Sequence, residues 1–141
     1  MKNPTSLTRV SKNVGIWIRV STDEQAQGDS PEHHLERAKS YCAARGWQVM
    51  ETYDLAGQSG KAVVQHPEAI RMMRDVKQGH ITGLVFSKLA RLSRNLREVQ
   101  DFGDYFSDHN ADLISLSESI DTSTAGGRTV KLESIPFQAI G

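Results

Sequence analysis

Ile16-Trp17-Ile18-Arg19-Val20-Ser21-Thr22-Asp23-Glu24-Gln25 is the segment around which the rest of the chain is arranged. The apolar, β-branched run from Val14 to Val20 reads as a buried strand interrupted by one arginine, and it ends on a serine and a polar loop. A buried guanidinium is costly without an anionic partner, so Arg19 calls for a carboxylate or a phosphate. Side chains alternate along an extended chain, so Arg19 and Ser21 point to the same side. Both fall near the carboxyl end of a strand, where open α/β sheets bind their ligands. A hydroxyl beside a cation at that edge suits a serine nucleophile with a phosphate held against it.

Outward from that strand, residues 1–12 have the composition of a mobile polar tail. Residues 22–30 read as loop, and Ser30-Pro31 opens a helix, with Ser as N-cap, Pro at the first position and Glu32 in the first turn. Leu35, Ala38 and Cys42 form its buried stripe with Tyr41 alongside, and Arg45-Gly46 closes it. Trp47 to Tyr53 alternates as a strand, and Asp54 to Gln65 is a long, glycine-containing loop of the kind that often carries function. His66-Pro67 opens a second helix that turns Ile70, Met73 and Val76 inward. Ile81 to Phe86 is a short apolar strand. Asn95-Leu96-Arg97-Glu98 is a capping box for a third helix carrying Leu96, Val99, Phe102 and Phe106 at helical spacing. Asp112 to Leu116 is a fourth strand, followed by loop from Asp121 to Gly127. This alternation predicts an α/β fold: a mainly parallel sheet of about four strands with helices on both faces.

Bulk properties narrow the function classes. A length of 141 residues suits one domain with a real core. Seventeen basic residues balance seventeen acidic ones, so any nucleic-acid site must be a local cluster. The lone cysteine, Cys42, excludes an intramolecular disulfide and fits a reducing compartment; on a helical stripe it reads as a small core residue. Without a membrane-length apolar run or a signal-peptide core, the chain is expected to be cytoplasmic and away from the membrane.

The second informative segment, Ser87-Lys88-Leu89-Ala90-Arg91-Leu92-Ser93-Arg94-Asn95-Leu96-Arg97, follows directly on the third strand and holds four cations without an acid. It therefore reaches the same carboxyl edge as Ser21. Arg91 and Arg94, three apart, share a face in a helical turn, and two guanidiniums on one face suit bidentate phosphate contacts. An ordinary solvated basic patch is the plainer reading. Cations at a helix start are electrostatically disfavoured, however, which sets this cluster apart. The remaining histidines (His33, His80, His109) have no partners at metal-ligand spacing, so no metal is expected. Ser6, Ser11, Ser93 and Ser107 read as loop or turn hydroxyls.

Taken together, R-x-S after the first strand and K-L-x-R-L-S-R-N after the third resemble the serine recombinases of the resolvase/invertase type. The resemblance covers roughly residues 13 to 128. The polar insertion at 22–30, the Ser59-Gly60-Lys61 loop and the Lys88 to Asn95 block look like the large serine integrase or conjugative-transposon branch. The resemblance implies that Ser21 attacks a DNA phosphodiester, giving a 5′-phosphoserine link and a free 3′-hydroxyl. Arg19, Arg91 and Arg94 would hold the scissile phosphate and lower the serine's pKa. Gln25 and His34 fall where the family keeps polar residues near the site, Ser59 matches a serine in its mobile loop, and Lys88 a basic residue before the arginine motif. No cofactor or small-molecule substrate is implied; the partners are specific DNA sites and further copies of the chain, as dimer and synaptic tetramer in the full-length protein.

Three positions depart from the family pattern. His66 stands where another active-site arginine is usual, Ala90 replaces an aspartate before the first motif arginine, and Trp17 stands two before Arg19 where tyrosine is common. A histidine holds a phosphate only when protonated. Residues 13–127 are expected to form the catalytic domain, and 128–141 to begin an inter-domain or dimerisation segment. With that segment and a DNA-binding region incomplete, the piece is expected to show weak or absent recombination by itself. The alternative is a non-catalytic DNA-associated or oligomerisation module that retains the resolvase fold; a metal-independent phosphoesterase is a third reading.

Overall fold

A computed structural model describes residues 12–19, 30–55, 63–93, 95–118 and 120–122. Its elements, in order, are β1 (Asn13–Ile18), α1 (Pro31–Arg45), β2 (Gln48–Asp54), a 3-10 turn (Val63–Gln65), α2 (Pro67–Lys77), β3 (Gly83–Phe86), α3 (Leu89–Leu92), α4 (Leu96–Asp108), β4 (Asp112–Ser115) and β5 (Ile120–Asp121). The strands form one sheet in the order β2-β1-β3-β4-β5. The first four are parallel and β5 pairs antiparallel with β4. The expected parallel α/β sheet is thus present, with one strand more than the alternation predicts. Ile120–Asp121 is too short to carry a period, so it reads as loop in sequence and becomes strand only by pairing with β4.

Strand β1 owes its central place to a run that is apolar on both faces. Val14, Ile16 and Ile18 pack with Ala38 and Cys42 of α1 and with Val85 and Ile114 on one side of the sheet. Trp17 turns to the other side, into a larger core with Met72, Val76, Leu84, Phe86, Val99, Phe102 and Phe106. Helix α1 therefore covers one face and α2 with α4 the other. Gly15 is required here, because a Cβ at that position would lie 2.4 Å from the Tyr53 ring.

Helix ends follow their local chemistry. Ser30 accepts the His33 amide at the start of α1, and Gly46, at φ 74°, closes it in the left-handed region that glycine adopts without cost. The α4 start differs from a simple capping box. Asn95 Oδ1 accepts the Glu98 amide at 3.1 Å. The Asn95 amide donates instead to Ser93 Oγ (3.0 Å), whose hydroxyl donates to Glu98 Oε1 (2.5 Å). Ser93 is buried and relays the cap, a larger role than a turn hydroxyl.

Helix α2 sits rotated from the expected phase. Ala69, Met72 and Val76 face the core, Met73 lies partly buried at its margin, and Ile70 is 54% exposed. Two polar contacts are consistent with this rotation. Tyr53 donates to Asp75 Oδ2 at 2.7 Å in the interior. Arg71 stacks over the Tyr53 ring and binds Glu51 and Glu68 at 2.7 Å each. A hydrophobicity count cannot foresee an aspartate turned inward to meet a buried tyrosine. Burial and the Asp75 bond raise the Tyr53 pKa, and the Arg71 and His80 bonds lower that of Glu51.

Candidate active site

In an open parallel sheet the ligand crevice lies where neighbouring strands are connected in opposite directions. The chain leaves β1 toward β2 on one side and returns to β3 on the other, so that crevice lies at the carboxyl ends of β1 and β3. Arg19 is the residue after β1, and Ser87 to Arg91 follow β3.

Arg19 meets the arginine motif directly. Its Nε donates to the Arg91 carbonyl at 2.9 Å and its Nη2 to the Ala90 carbonyl at 2.7 Å. The Trp17 indole Nε1 donates to the same Arg91 carbonyl at 2.8 Å. Trp17 and Arg19 are two apart and act on one side, as strand alternation predicts. The anionic partner expected for Arg19 is therefore replaced, at these two donors, by carbonyls at the end of the four-residue helix α3. The last carbonyls of a helix lack internal partners and carry partial negative charge, so a cation is well placed there.

Arg91 is only 4% exposed, so the plainer reading of a solvated basic patch does not hold for it. Leu89 and Leu92 of the same short helix anchor it in the larger core, which draws Arg91 inward with them. Lys88 stands half-buried at the extended position before α3. His34, in the first turn of α1, is half-buried, and its ring packs edge-to-face with His33 at 6.1 Å. Ser21, Gln25, Ser59 and Arg94 lie outside the described residues.

His66 has a definite local job. It is the N-cap of α2, and its Nδ1 accepts the Glu68 amide at 3.0 Å. A ring nitrogen that accepts carries no proton, so the imidazolium that would hold a phosphate loses this cap. His66→Ala is expected to destabilise the fold by about 1 kcal/mol, as other lost caps do, with His66→Asn near wild type; urea denaturation measures both.

Two residues that the sequence did not mark as functional complete the edge. The Leu116 amide donates to the Phe86 carbonyl at 3.0 Å and the Ser117 amide to the Ser87 carbonyl at 2.8 Å, extending the β3–β4 pairing past the strands. That brings Glu118 to the start of α3, where its carboxylate accepts the Leu89 amide at 3.2 and 3.4 Å and the Ser115 hydroxyl. The available signal was position: Glu118 follows the fourth strand at the same carboxyl edge. Trp17, the other, was visible as a departure from the family pattern, while its bond to Arg91 was not.

Cys42 does not take part. It is buried on the inner face of α1, against β1, and burial pushes its thiol up to about 11. Among the described residues no helix is long and apolar enough to cross a membrane, and no group of three or more His, Cys, Asp or Glu is arranged to hold a metal ion.

Comparison with known proteins agrees with this fold. The catalytic-domain structure of TP901-1 integrase superposes with a TM-score of 0.74 at 39% identity, covering 84% of this chain and 87% of that one. A resolvase family site-specific recombinase from Streptococcus pneumoniae gives 0.71 at 28% identity, covering 88% and 85%. An uncharacterized immunity region protein of Bacillus phage phi105 is 42% identical over 72 residues, which is half of this chain and 87% of that protein. The model of the resolvase N-terminal domain matches residues 14–133. With most of its length matched, and with its arginine motif docked on the strand that leads to Ser21, the chain belongs to the resolvase family as a site-specific recombinase catalytic domain.

Proposed function

We propose that this domain cleaves and rejoins DNA through Ser21, with Arg19, Arg91 and Arg94 forming the surroundings of the scissile phosphate. The observation that supports this reading most is the contact of Arg19 with the Arg91 segment at the crevice between β1 and β3. Two chemistry-bearing segments 71 and 72 residues apart meet at the edge where the fold takes its ligand.

In this mechanism the Ser21 Oγ attacks phosphorus and forms a new P–O bond while the bond to the 3′ oxygen breaks. The 3′ oxygen leaves as a hydroxyl, taking up a proton, and the serine proton is lost. Negative charge gathers on the non-bridging oxygens, where preorganised guanidiniums stabilise it. The serine ester keeps the phosphodiester bond energy, so a 3′-hydroxyl can attack it in turn and restore DNA in a new arrangement. Gln25, Ser59 and Lys88 would support the loops around the phosphate, and His34 the start of α1. Residues 13–127 would be the catalytic unit and 128–141 the beginning of a segment for dimer and synaptic-tetramer contacts. Specific DNA sites would be the substrate, in the cytoplasm.

The test is to trap the intermediate. The longest natural polypeptide containing this domain is incubated with its DNA site carrying a nick beside the scissile phosphate, so that the cut strand escapes. A covalent protein–DNA adduct is expected, mapping by mass spectrometry to Ser21 and missing from Ser21→Ala. Bound DNA without an adduct would favour the non-catalytic module, and phosphate released to water the phosphoesterase.

A further inference from the structure

We propose that Glu118 is a positioning residue for the recombination chemistry, holding in place the short helix that carries Arg91. This rests on the reading of Arg91 as a phosphate-binding group.

Helix α3 has four residues, and a helix of one turn is not stable by itself, because nucleation fixes several dihedral angles for a single hydrogen bond. Backbone bonds to its flanking residues close the turn: the Ser93 amide reaches the Leu89 carbonyl at 3.0 Å and the Arg91 amide the Lys88 carbonyl at 2.9 Å. Further holds come from distant side chains. At the carboxyl end, Trp17 and Arg19 take the Ala90 and Arg91 carbonyls. At the amino end, the cap position, Lys88, does not cap the helix with its side chain, and Glu118 takes the Leu89 amide. The segment is thus clamped between side chains arriving from β1 and from the end of β4.

Glu118 is itself fixed. The Ser115 hydroxyl donates to Oε1, and Ser115 is fully buried at the end of β4. The carboxylate also places a negative charge at the amino end of the turn, which a helix favours, within a segment otherwise rich in cations. A side chain that reaches 29 residues back to cap the motif offsets the electrostatic misfit of the basic cluster noted in the sequence. With the turn held at both ends, the Arg91 guanidinium is aimed before DNA arrives, and the phosphate meets a preorganised group.

The experiment compares wild type, Glu118→Ala and Glu118→Gln. Amide hydrogen exchange on the 141-residue chain is expected to quicken at least tenfold at Leu89 to Leu92 in Glu118→Ala. Exchange in β3 and β4 should stay unchanged, and Glu118→Gln, which keeps an acceptor, should restore most of the protection. In the longest natural polypeptide, adduct formation at saturating DNA should fall at least tenfold in Glu118→Ala with DNA affinity within twofold of wild type, and recover in Glu118→Gln. Unchanged exchange at Leu89 to Leu92 overturns the clamp. Faster exchange with wild-type adduct formation overturns the positioning role, and so does an equal loss of protection across the whole sheet. Failure of wild type itself to form an adduct counts against the reading of Ser21 and Arg91, and with it the positioning role, while the exchange arm still decides whether Glu118 holds the helix.

Discussion

Arg91→Ala is expected to slow DNA strand cleavage by about a hundred- to a thousand-fold, the range seen when one preorganised charge-stabilising donor is removed from an active site. The substitution deletes the guanidinium and leaves the backbone carbonyl that Trp17 and Arg19 hold, so the motif stays docked on β1. Loss of activity should therefore be separable from loss of fold. Because Arg91 is buried, some destabilisation accompanies it, and urea denaturation provides the control. Single-turnover cleavage at saturating DNA is the measurement, because it reports the chemical step apart from binding. Arg91→Lys should recover only part of the rate, since an ammonium cannot reproduce the planar two-pronged contact. Cleavage at the wild-type rate in Arg91→Ala would refute its place at the phosphate.

Trp17→Ala is expected to destabilise the domain by about 3–5 kcal/mol, as large aromatic deletions in cores do. Domains of this size are stable by only about 5–15 kcal/mol, so the loss would take a large share of the total. Three losses combine. The indole is 1% exposed in the larger core, and it packs edge-to-face on Phe102 at 6.1 Å. Its N–H also holds the Arg91 carbonyl. Trp17→Phe separates the parts, since it keeps an aromatic ring in the core while removing the donor and a few ring atoms. The carbonyl still receives the Arg19 Nε, so the cost should be about 1–3 kcal/mol, one hydrogen bond plus a small cavity and below that of Trp17→Ala. Thermal or urea unfolding of both variants checks the order. Equal stability of Trp17→Ala and wild type would mean that β1 is not the centre of the core.

Both predictions turn on contacts between segments far apart in the chain, and that is where sequence and structure part. Much of the fold could be read locally. Ser30, Gly46 and Asn95 mark helix ends through side-chain and backbone chemistry within four residues, and the structure has those ends. The stripes Ala38-Cys42 and Val99-Phe102-Phe106 lie where helical periodicity puts them. Helix α2 shows the limit. Its apolar residues permit two phases, and the phase observed turns Asp75 toward Tyr53, 22 residues away. Ile70 is left outside.

The candidate site divides in the same way. The residue types and their strand-end positions, Arg19 after β1 and Arg91 after β3, follow from apolar runs that stop at polar loops. Family motifs add the proposed roles of Ser21 and Arg94. Neither discloses that Arg19 binds backbone carbonyls of the motif, that Arg91 is buried, that His66 caps a helix, or that Glu118 holds the first amide of α3.

By itself, then, the amino-acid sequence determined the α/β alternation, the starts of the three longer helices, the central apolar strand and the recombinase motifs. Each of these is written in spacings of a few residues, which the chain satisfies wherever it is folded. The tertiary structure alone decided which donors meet which acceptors at the sheet edge. Those pairings depend on the strand order β2-β1-β3-β4, which sets the ends of β1, β3 and β4 side by side. A four-residue turn has no stable position until that order supplies Trp17, Arg19 and Glu118 to hold it.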